Sequence, residues 1–426
     1  MKKTLEPFQR VGAFDHLARN YHALLADQPG LGKTLQAIAA VEGLGLKLVL
    51  VVCPASVRSN WLKEINECLG SSAGWRIIGY NEAHKLSKQL EPGGPLWDAI
   101  ILDEAHFLKT PESQRTQAIF GVKGLARRAN YKWALTGTPV LNRPREMYPL
   151  LKTLCPTFAA MPFNKFADIY CAAYFDGHGI NTKGASNLDD LARKLQGFML
   201  RRTKLEVFPN RKAPLVQRVP IELSSKDLLE VRAQEDIIGG REARLSSVHE
   251  DFSQLGDTST LLRLLGEAKV DHVFRFVDDL LETVDKVVVF AHHIDVIERL
   301  KFKFQDHNYN PVVLRGGMSD LQKMEAIKTF QSPESRVFIG ARTAAGTGIN
   351  GLQTVCSSVV IAEPSWVPGE TEQMIDRLDR MGAQSDIVNA YLLYAKSTLD
   401  EVVVQVHDRK EMIVDRVHGD DILAQL

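Results

Sequence analysis

Short runs of apolar, β-favouring residues alternate with longer stretches of helical pattern along roughly the first 140 residues of the chain. Tyr21–Ala26, Lys47–Cys53, Arg76–Tyr80, Asp98–Leu102 and Lys132–Leu135 read as strands, each bounded by turn residues. Strands alternating with helices in this way predict a parallel sheet with helices on both faces. The same pattern resumes after residue 285, where Lys286–Ala291, Pro311–Leu314, Arg336–Gly340, Ser358–Ala362 and Val388–Leu393 form a second set. Between the two sets the pattern changes. Aromatic residues are scattered among helical segments from about Pro144 to Gly197, and a charged, helix-prone stretch runs from Ser224 to Gly256 with Gly239-Gly240 as a break.

The fold class expected is therefore α/β, with two lobes, each a parallel sheet flanked by helices. Residues 1–220 are assigned to the first lobe with a helical insertion at about 144–197, residues 221–266 to a helical linker, and residues 267–426 to the second lobe. No repeat of solenoid length is visible. A chain of 426 residues, 45% hydrophobic, exceeds what a single core usually supports and agrees with two.

Charge excludes one class of function. Lys plus Arg and Asp plus Glu number 52 each, so any nucleic-acid binding must come from a local basic surface and not from net charge. The five cysteines, Cys53, Cys68, Cys155, Cys171 and Cys356, form no CxxC pair, which points to reduced, buried thiols. The N-terminus Met1–Pro7 lacks a signal-peptide core, and no apolar stretch reaches the ~18 residues of a membrane helix. A protein without membrane attachment is expected, cytoplasmic in a bacterial or viral-host setting and nuclear in a eukaryotic one.

Candidate chemistry begins at Gly30-Leu31-Gly32-Lys33-Thr34, directly after the first strand. A glycine-rich turn between strand and helix lets backbone N–H groups close around phosphates, where the helix N-terminus already favours negative charge. Lys33 reaches β- and γ-phosphates, and Thr34 offers a hydroxyl to Mg²⁺. Asp103 and Glu104 end another strand; the first suits the same ion, and the second suits orienting and deprotonating an attacking water. The strict P-loop pattern is broken, because Asp27 stands where its first glycine would be.

Further segments follow in fixed order: Leu135-Thr136-Gly137-Thr138-Pro139, Phe198-Met199-Leu200-Arg201-Arg202-Thr203-Lys204, Ala344–Asn350, Glu363–Gly369 and Gln373–Gly382. Together they resemble helicase superfamily two, specifically the SWI/SNF-type double-stranded-DNA translocases, over about residues 5 to 405. The Glu-x-x-Trp-x-Pro-Gly segment is similar to the annealing-helicase subgroup. This resemblance implies two RecA-like lobes, with ATP and Mg²⁺ as cofactors. It implies that Gln9 reads adenine, that Gly348 belongs to the nucleotide site, and that Arg377 and Arg380 act as arginine fingers from the second lobe. Thr136, Thr138 and Gln373 become coupling residues. Duplex DNA, including branched or forked forms, is the implied partner of a monomeric motor, with Ser56, Arg315, Thr347, Asn350 and Trp366 as contacts.

Blander readings stand beside these. Gln9 also reads as a surface residue on a helix, Trp61 and Trp366 as core aromatics, and His292-His293 as structural. Arg377 and Arg380, three apart on a presumed helix, also read as a solvated face paired with Asp376 and Asp379. The basic clusters Arg127-Arg128 and Arg201-Arg202-Lys204 add charge for phosphate contact or belong to ordinary surface. Lys323 and Ala383 depart from the family pattern at positions implied to couple hydrolysis to DNA. Two other functions remain open: a strand-separating DNA or RNA helicase, and a nucleotide-dependent DNA-binding clamp.

Overall fold

The computed structural model describes all residues except 91–92, 94–95, 140–142, 178, 238–257, 343–349, 381 and 419–426. The chain divides into two compact units: Met1–Pro209 together with the chain from Met412 onward, and Asn210–Glu411.

The first unit is built on a six-stranded parallel sheet. Its strands are β1 (His22–Leu25), β2 (Val49–Cys53), β3 (Trp75–Gly79), β4 (Trp97–Asp103), β5 (Ala129–Leu135) and β8 (Met199–Leu200), in the order β3-β2-β4-β5-β1-β8. All five residues of β2 are buried. Val49, Val51 and Cys53 enter one core with Leu25, Ile38, Ile101 and Trp133, while Leu50 and Val52 enter another with Leu24, Ile100, Leu102 and Ala134. The two-residue period of a strand thus divides an all-apolar run between two helix-covered faces. Because every strand runs the same way, the loops after β1, β2, β4, β5 and β8 emerge along one edge of the sheet, where open α/β folds place their ligands.

The insertion on this unit contains helices Tyr148–Leu154, Phe163–Tyr170 and Leu188–Leu195. Tyr148, Phe158, Phe166 and Tyr170 join the core, with the Phe166 and Tyr170 rings 5.0 Å apart. It also holds a short antiparallel hairpin, β6 (Tyr174–Phe175) with β7 (Ile180–Asn181), which the helical pattern did not announce.

The second unit carries β9 (Leu215–Ile221), β10 (Val287–Ala291), β11 (Val312–Leu314), β12 (Val337–Ala341), β13 (Ser358–Ile361) and β14 (Asn389–Ala395), all parallel, in the order β11-β12-β10-β13-β14-β9. Residues 210–220, expected at the end of the first lobe, lie here instead, because β9 pairs with β14 from Leu215↔Asn389 to Ile221↔Ala395. Gln217, Arg218 and Pro220 break the apolar pattern of β9, as an exposed edge strand permits. The expected linker begins with helix Ser225–Ile237. Its Gly239-Gly240 break lies outside the described residues. Helix Thr258–Leu280 crosses the expected boundary at 266 without interruption and buries Val270, Val273 and Val277 against the second sheet.

Candidate active site

The phosphate loop forms as its residues require. Gly30 and Gly32 adopt φ of +90° and +76°, a region costing an L side chain roughly 1–2 kcal/mol. A Cβ on Gly32 would also lie 2.5 Å from Gln9 Nε2. Helix Lys33–Leu44 starts immediately afterwards, so its first N–H groups face the loop. Lys33 Nζ donates to Asp27 O at 2.7 Å.

Asp103 ends β4 on the same sheet edge and feels the Lys33 charge. Three neighbours hold it. Trp61 Nε1 donates to Oδ2 at 2.7 Å, the Glu104 N–H donates to Oδ1 at 3.0 Å, and Tyr80 Oη donates to its carbonyl at 2.7 Å. Burial and the neighbouring Glu104 charge push the Asp103 carboxyl up to about 6, against which the Trp61 bond and Lys33 act. Glu104 takes the left-handed conformation at φ +50°, a strain typical of functional positions.

His106 links this pair to the end of β5. Its Nδ1 lies 3.3 Å from Glu104 Oε2 and 3.0 Å from Thr136 Oγ1, which also accepts from the Thr138 N–H at 3.2 Å. Burial, with the Lys109 and Lys33 charges, lowers the imidazole to about 3, so the ring is neutral at physiological pH. Glu104, His106, Thr136 and Thr138 therefore form one chain of polar contacts between two strand ends.

The donor set fits Mg²⁺. Asp103 and Thr34 are hard oxygen donors, and among the described residues no group of three or more His, Cys, Asp and Glu could hold an ion alone. Magnesium typically takes one or two protein oxygens and completes its shell with water and phosphate.

The basic segment after β8 is not a solvated patch. Arg201 Nη1 donates to Ala26 O at 3.2 Å and to Gly137 O at 3.1 Å, and Arg202 engages the fully buried Asp27 through Nε and Nη2. Lys204 is 5% exposed. These residues brace the phosphate loop, so they are withdrawn as an external DNA-binding cluster. Arg127-Arg128 precede β5 and lie at the opposite edge of the sheet from Lys33.

Gln9 is 3% exposed, not on the surface; its Nε2 donates to Leu31 O at 3.3 Å and its Oε1 accepts from the Glu6 N–H at 3.1 Å. Trp61 is 1% exposed, which removes it as a DNA contact. Ser56 lies half-buried in a short turn after β2. All five cysteines are buried and free.

In the second unit, Arg377 and Arg380 do not share a helix face as expected. Helix Pro368–Ile375 ends before them, and residues 376–380 continue as tight turns anchored by fully buried Leu378. Arg380 Nε donates to Asp376 O at 2.8 Å, while Asp379 accepts from Arg211 Nε at 2.9 Å. Gln373 is half-buried on that helix. Arg315 pairs with Glu298, Asn350 Oδ1 accepts from Gln353 Nε2 at 2.9 Å, and Trp366 packs on the cluster of Val231, Leu261 and Leu399. Thr347 and Gly348 lie outside the described residues. His292-His293 are structural: Glu363 accepts from both backbone N–H groups, at 2.6 and 3.0 Å, and pairs with the His293 ring.

The sequence profile described as the SNF2-related domain matches residues 14–74 and 71–228, and that of the helicase conserved C-terminal domain matches residues 268–382. The chain belongs to the SNF2-related family. Human DNA annealing helicase and endonuclease ZRANB3 is 28% identical over 448 residues, covering 97% of this chain and 40% of that protein. The Xenopus laevis SWI/SNF-related matrix-associated actin-dependent regulator of chromatin subfamily A-like protein 1 is 32% identical over 425 residues, covering 93% and 42%. The chain thus spans about two fifths of the length of these relatives. A solved structure, the Sulfolobus solfataricus SWI2/SNF2 ATPase core in complex with dsDNA, is 22% identical with a TM-score of 0.45, covering 99% of this chain and 94% of that one. Among the described residues no helix is long and apolar enough to cross a membrane.

Proposed function

We propose that this SNF2-related chain is a DNA-stimulated ATPase that couples hydrolysis to translocation on double-stranded DNA, remodelling protein–DNA complexes or rewinding and branch-migrating DNA. The observation that carries the reading is the convergence, on one sheet edge, of the Lys33 loop with the polar chain from Asp103 through Glu104 and His106 to Thr136. In this reading Gly30, Gly32 and Lys33 bind the triphosphate, and Thr34 with Asp103 holds magnesium. The ion, when bound, neutralises charge on the β- and γ-oxygens. Glu104 takes the proton of the attacking water. His106 reports phosphate state to Thr136 and Thr138, which with Gln373 couple hydrolysis to movement.

Arg377 and Arg380 act as fingers on the γ-phosphate, a role worth ~10³–10⁵ in rate in phosphoryl transfer. Hydrolysis removes the charge that attracts them. Ser56, Arg315, Thr347, Asn350 and Trp366 grip the phosphate backbone, giving salt-dependent binding with little sequence preference. The DNA annealing helicase named among the relatives supports rewinding of DNA; a monomer acting on duplex DNA, including forked or branched forms, completes the proposal.

Turnover measured with duplex DNA, single-stranded DNA and RNA, together with displacement of a triplex-forming strand, tests the reading. Stimulation by duplex with triplex displacement is expected. Equal turnover with and without duplex removes the translocase, and strand separation without triplex displacement replaces it with a conventional helicase.

A further inference from the structure

Arg202 joins three segments of the first unit through one guanidinium. Its Nε donates to Asp27 Oδ1 at 2.9 Å and its Nη2 to Asp27 Oδ2 at 2.5 Å, a bidentate pair with the partners 14% and 0% exposed. Nη2 also donates to Gln36 Oε1 at 3.0 Å, and Nη1 donates to the Phe8 carbonyl, whose ring lies 5.3 Å beneath the guanidinium. Gln36 closes the cluster by donating to Asp27 Oδ2 at 3.0 Å and to Leu31 O at 3.2 Å. The cluster has no slack: a Cβ on Gly12 would lie 1.8 Å from Gln36 Oε1 and 2.8 Å from Arg202 Nη2.

Both ends of the cluster reach residues assigned to the nucleotide. Asp27 supplies the carbonyl that holds Lys33 Nζ, and Gln9, next to Phe8, bonds the carbonyl of Leu31 inside the phosphate loop. The backbone of the Arg202 segment also pairs with the loop, since the Gln28 N–H donates to Arg202 O at 3.0 Å and the Lys204 N–H donates to Gln28 Oε1 at 2.7 Å. Asp27 occupies the place of the first P-loop glycine, so this loop begins with a buried carboxylate that requires a partner. A lysine could not replace Arg202, because an ammonium cannot span Asp27, Gln36 and the Phe8 carbonyl in one plane.

We propose that Arg202 is a positioning and specificity-determining residue for nucleotide binding. It locks the phosphate loop and the Phe8–Gln9 segment into one body, so that recognition of the base and of the phosphates succeeds or fails together. This rests on the reading of the Lys33 loop as a nucleoside triphosphate site. Losing the clamp weakens nucleotide binding and blurs the preference for adenine, while the hydrolytic residues Asp103 and Glu104 keep their own supports.

The test titrates wild type, Arg202→Lys and Asp27→Asn with N-methylanthraniloyl-ADP and compares ATP with GTP turnover. Both variants are expected to raise the Kd at least tenfold and to lower the ATP-over-GTP preference at least threefold. A folded Arg202→Lys with wild-type Kd and wild-type preference overturns the proposal. A purely structural role would lower Tm and the active fraction without moving either quantity.

Should the variants not fold, hydrogen exchange on the wild-type chain decides. ADP is expected to protect residues 199–206 and 7–11 together with 27–34, and protection confined to 27–34 overturns the clamp. Failure of the wild type to bind the probe would remove the nucleotide reading itself, an outcome distinct from binding that ignores Arg202.

Discussion

The indole N–H of Trp61 donates to Asp103 Oδ2 at 2.7 Å from a side chain only 1% exposed. Trp61 sits on helix Arg58–Leu69, which begins just after the half-buried Ser56 turn. A residue that packs as core beside Ile65 is therefore also a support of the acidic strand end. A hydrogen bond to a charged group is worth ~1.5–3 kcal/mol. Trp61→Phe keeps most of the ring and deletes that bond. It should reduce ATP turnover about tenfold and raise the magnesium concentration for half-maximal rate. A magnesium titration of turnover checks this, and an unchanged midpoint with a lowered Tm would leave Trp61 only a packing role.

The division of labour around the phosphate loop gives a second prediction. Lys33→Ala should abolish turnover by removing the ammonium that Asp27 O now holds. Glu104→Gln should abolish turnover while nucleotide binding survives, since a carboxamide cannot accept the proton. Arg380→Ala should leave binding largely intact and slow hydrolysis more than tenfold. Equilibrium nucleotide binding and steady-state ATPase, measured on the same preparations, separate the three.

His106 makes the first unit acid-sensitive. Burial, with the positive charges of Lys109 and Lys33, holds its imidazole near 3 against an ordinary value of 6.5. Below pH 6.5 the unfolded chain takes up a proton that the folded chain refuses until about pH 3. Stability from this group is thus complete above 6.5 and falls as pH drops through that window, by at most about 1.4 kcal/mol per pH unit. His106→Asn should flatten the acid limb of the unfolding curve, as urea denaturation between pH 7 and pH 5 would show. An equally steep limb in the variant would assign the sensitivity elsewhere, for instance to His292, which burial lowers to about 4.

The parts of this fold legible in the sequence were those whose pattern is dictated by burial on two faces. Val49–Cys53 and Val287–Ala291 are continuous apolar runs because both of their faces are covered. The edge strands β3 and β11 were legible, but the other two edges escaped: Met199–Leu200 is two residues long, and Leu215–Ile221 carries Arg218 and Pro220 on an exposed edge. At the site, the glycines and acids announced themselves by type and spacing. The braces did not. Arg202 reads as surface charge until the remote Asp27 is seen buried beside it, and Trp61 reads as core because nothing local reveals Asp103. The helical spacing of Arg377 and Arg380 misled because the helix ends at Ile375 and the chain goes on in turns, a change that no local residue type announces.

Lys269 and Asp400 form an ion pair at 2.5 Å with side chains 1% and 4% exposed. Lys269 Nζ also donates to Ala362 O at 2.7 Å and Leu393 O at 3.3 Å, while Asp400 Oδ2 accepts from the Ala395 N–H at 3.2 Å. One ammonium thereby ties helix Thr258–Leu280 to the ends of β13 and β14 and to the start of helix Leu399–His418. Removing one partner strands a buried charge, which costs ~3–5 kcal/mol, whereas removing both together is often close to neutral. Lys269→Met should therefore destabilise the second unit by about that amount, and adding Asp400→Leu should restore a large part of it. Urea unfolding of the two variants checks the sign of the coupling. If the double variant is less stable than Lys269→Met, the pair is not what Asp400 serves, and its bond to the Ala395 N–H becomes the dominant contribution.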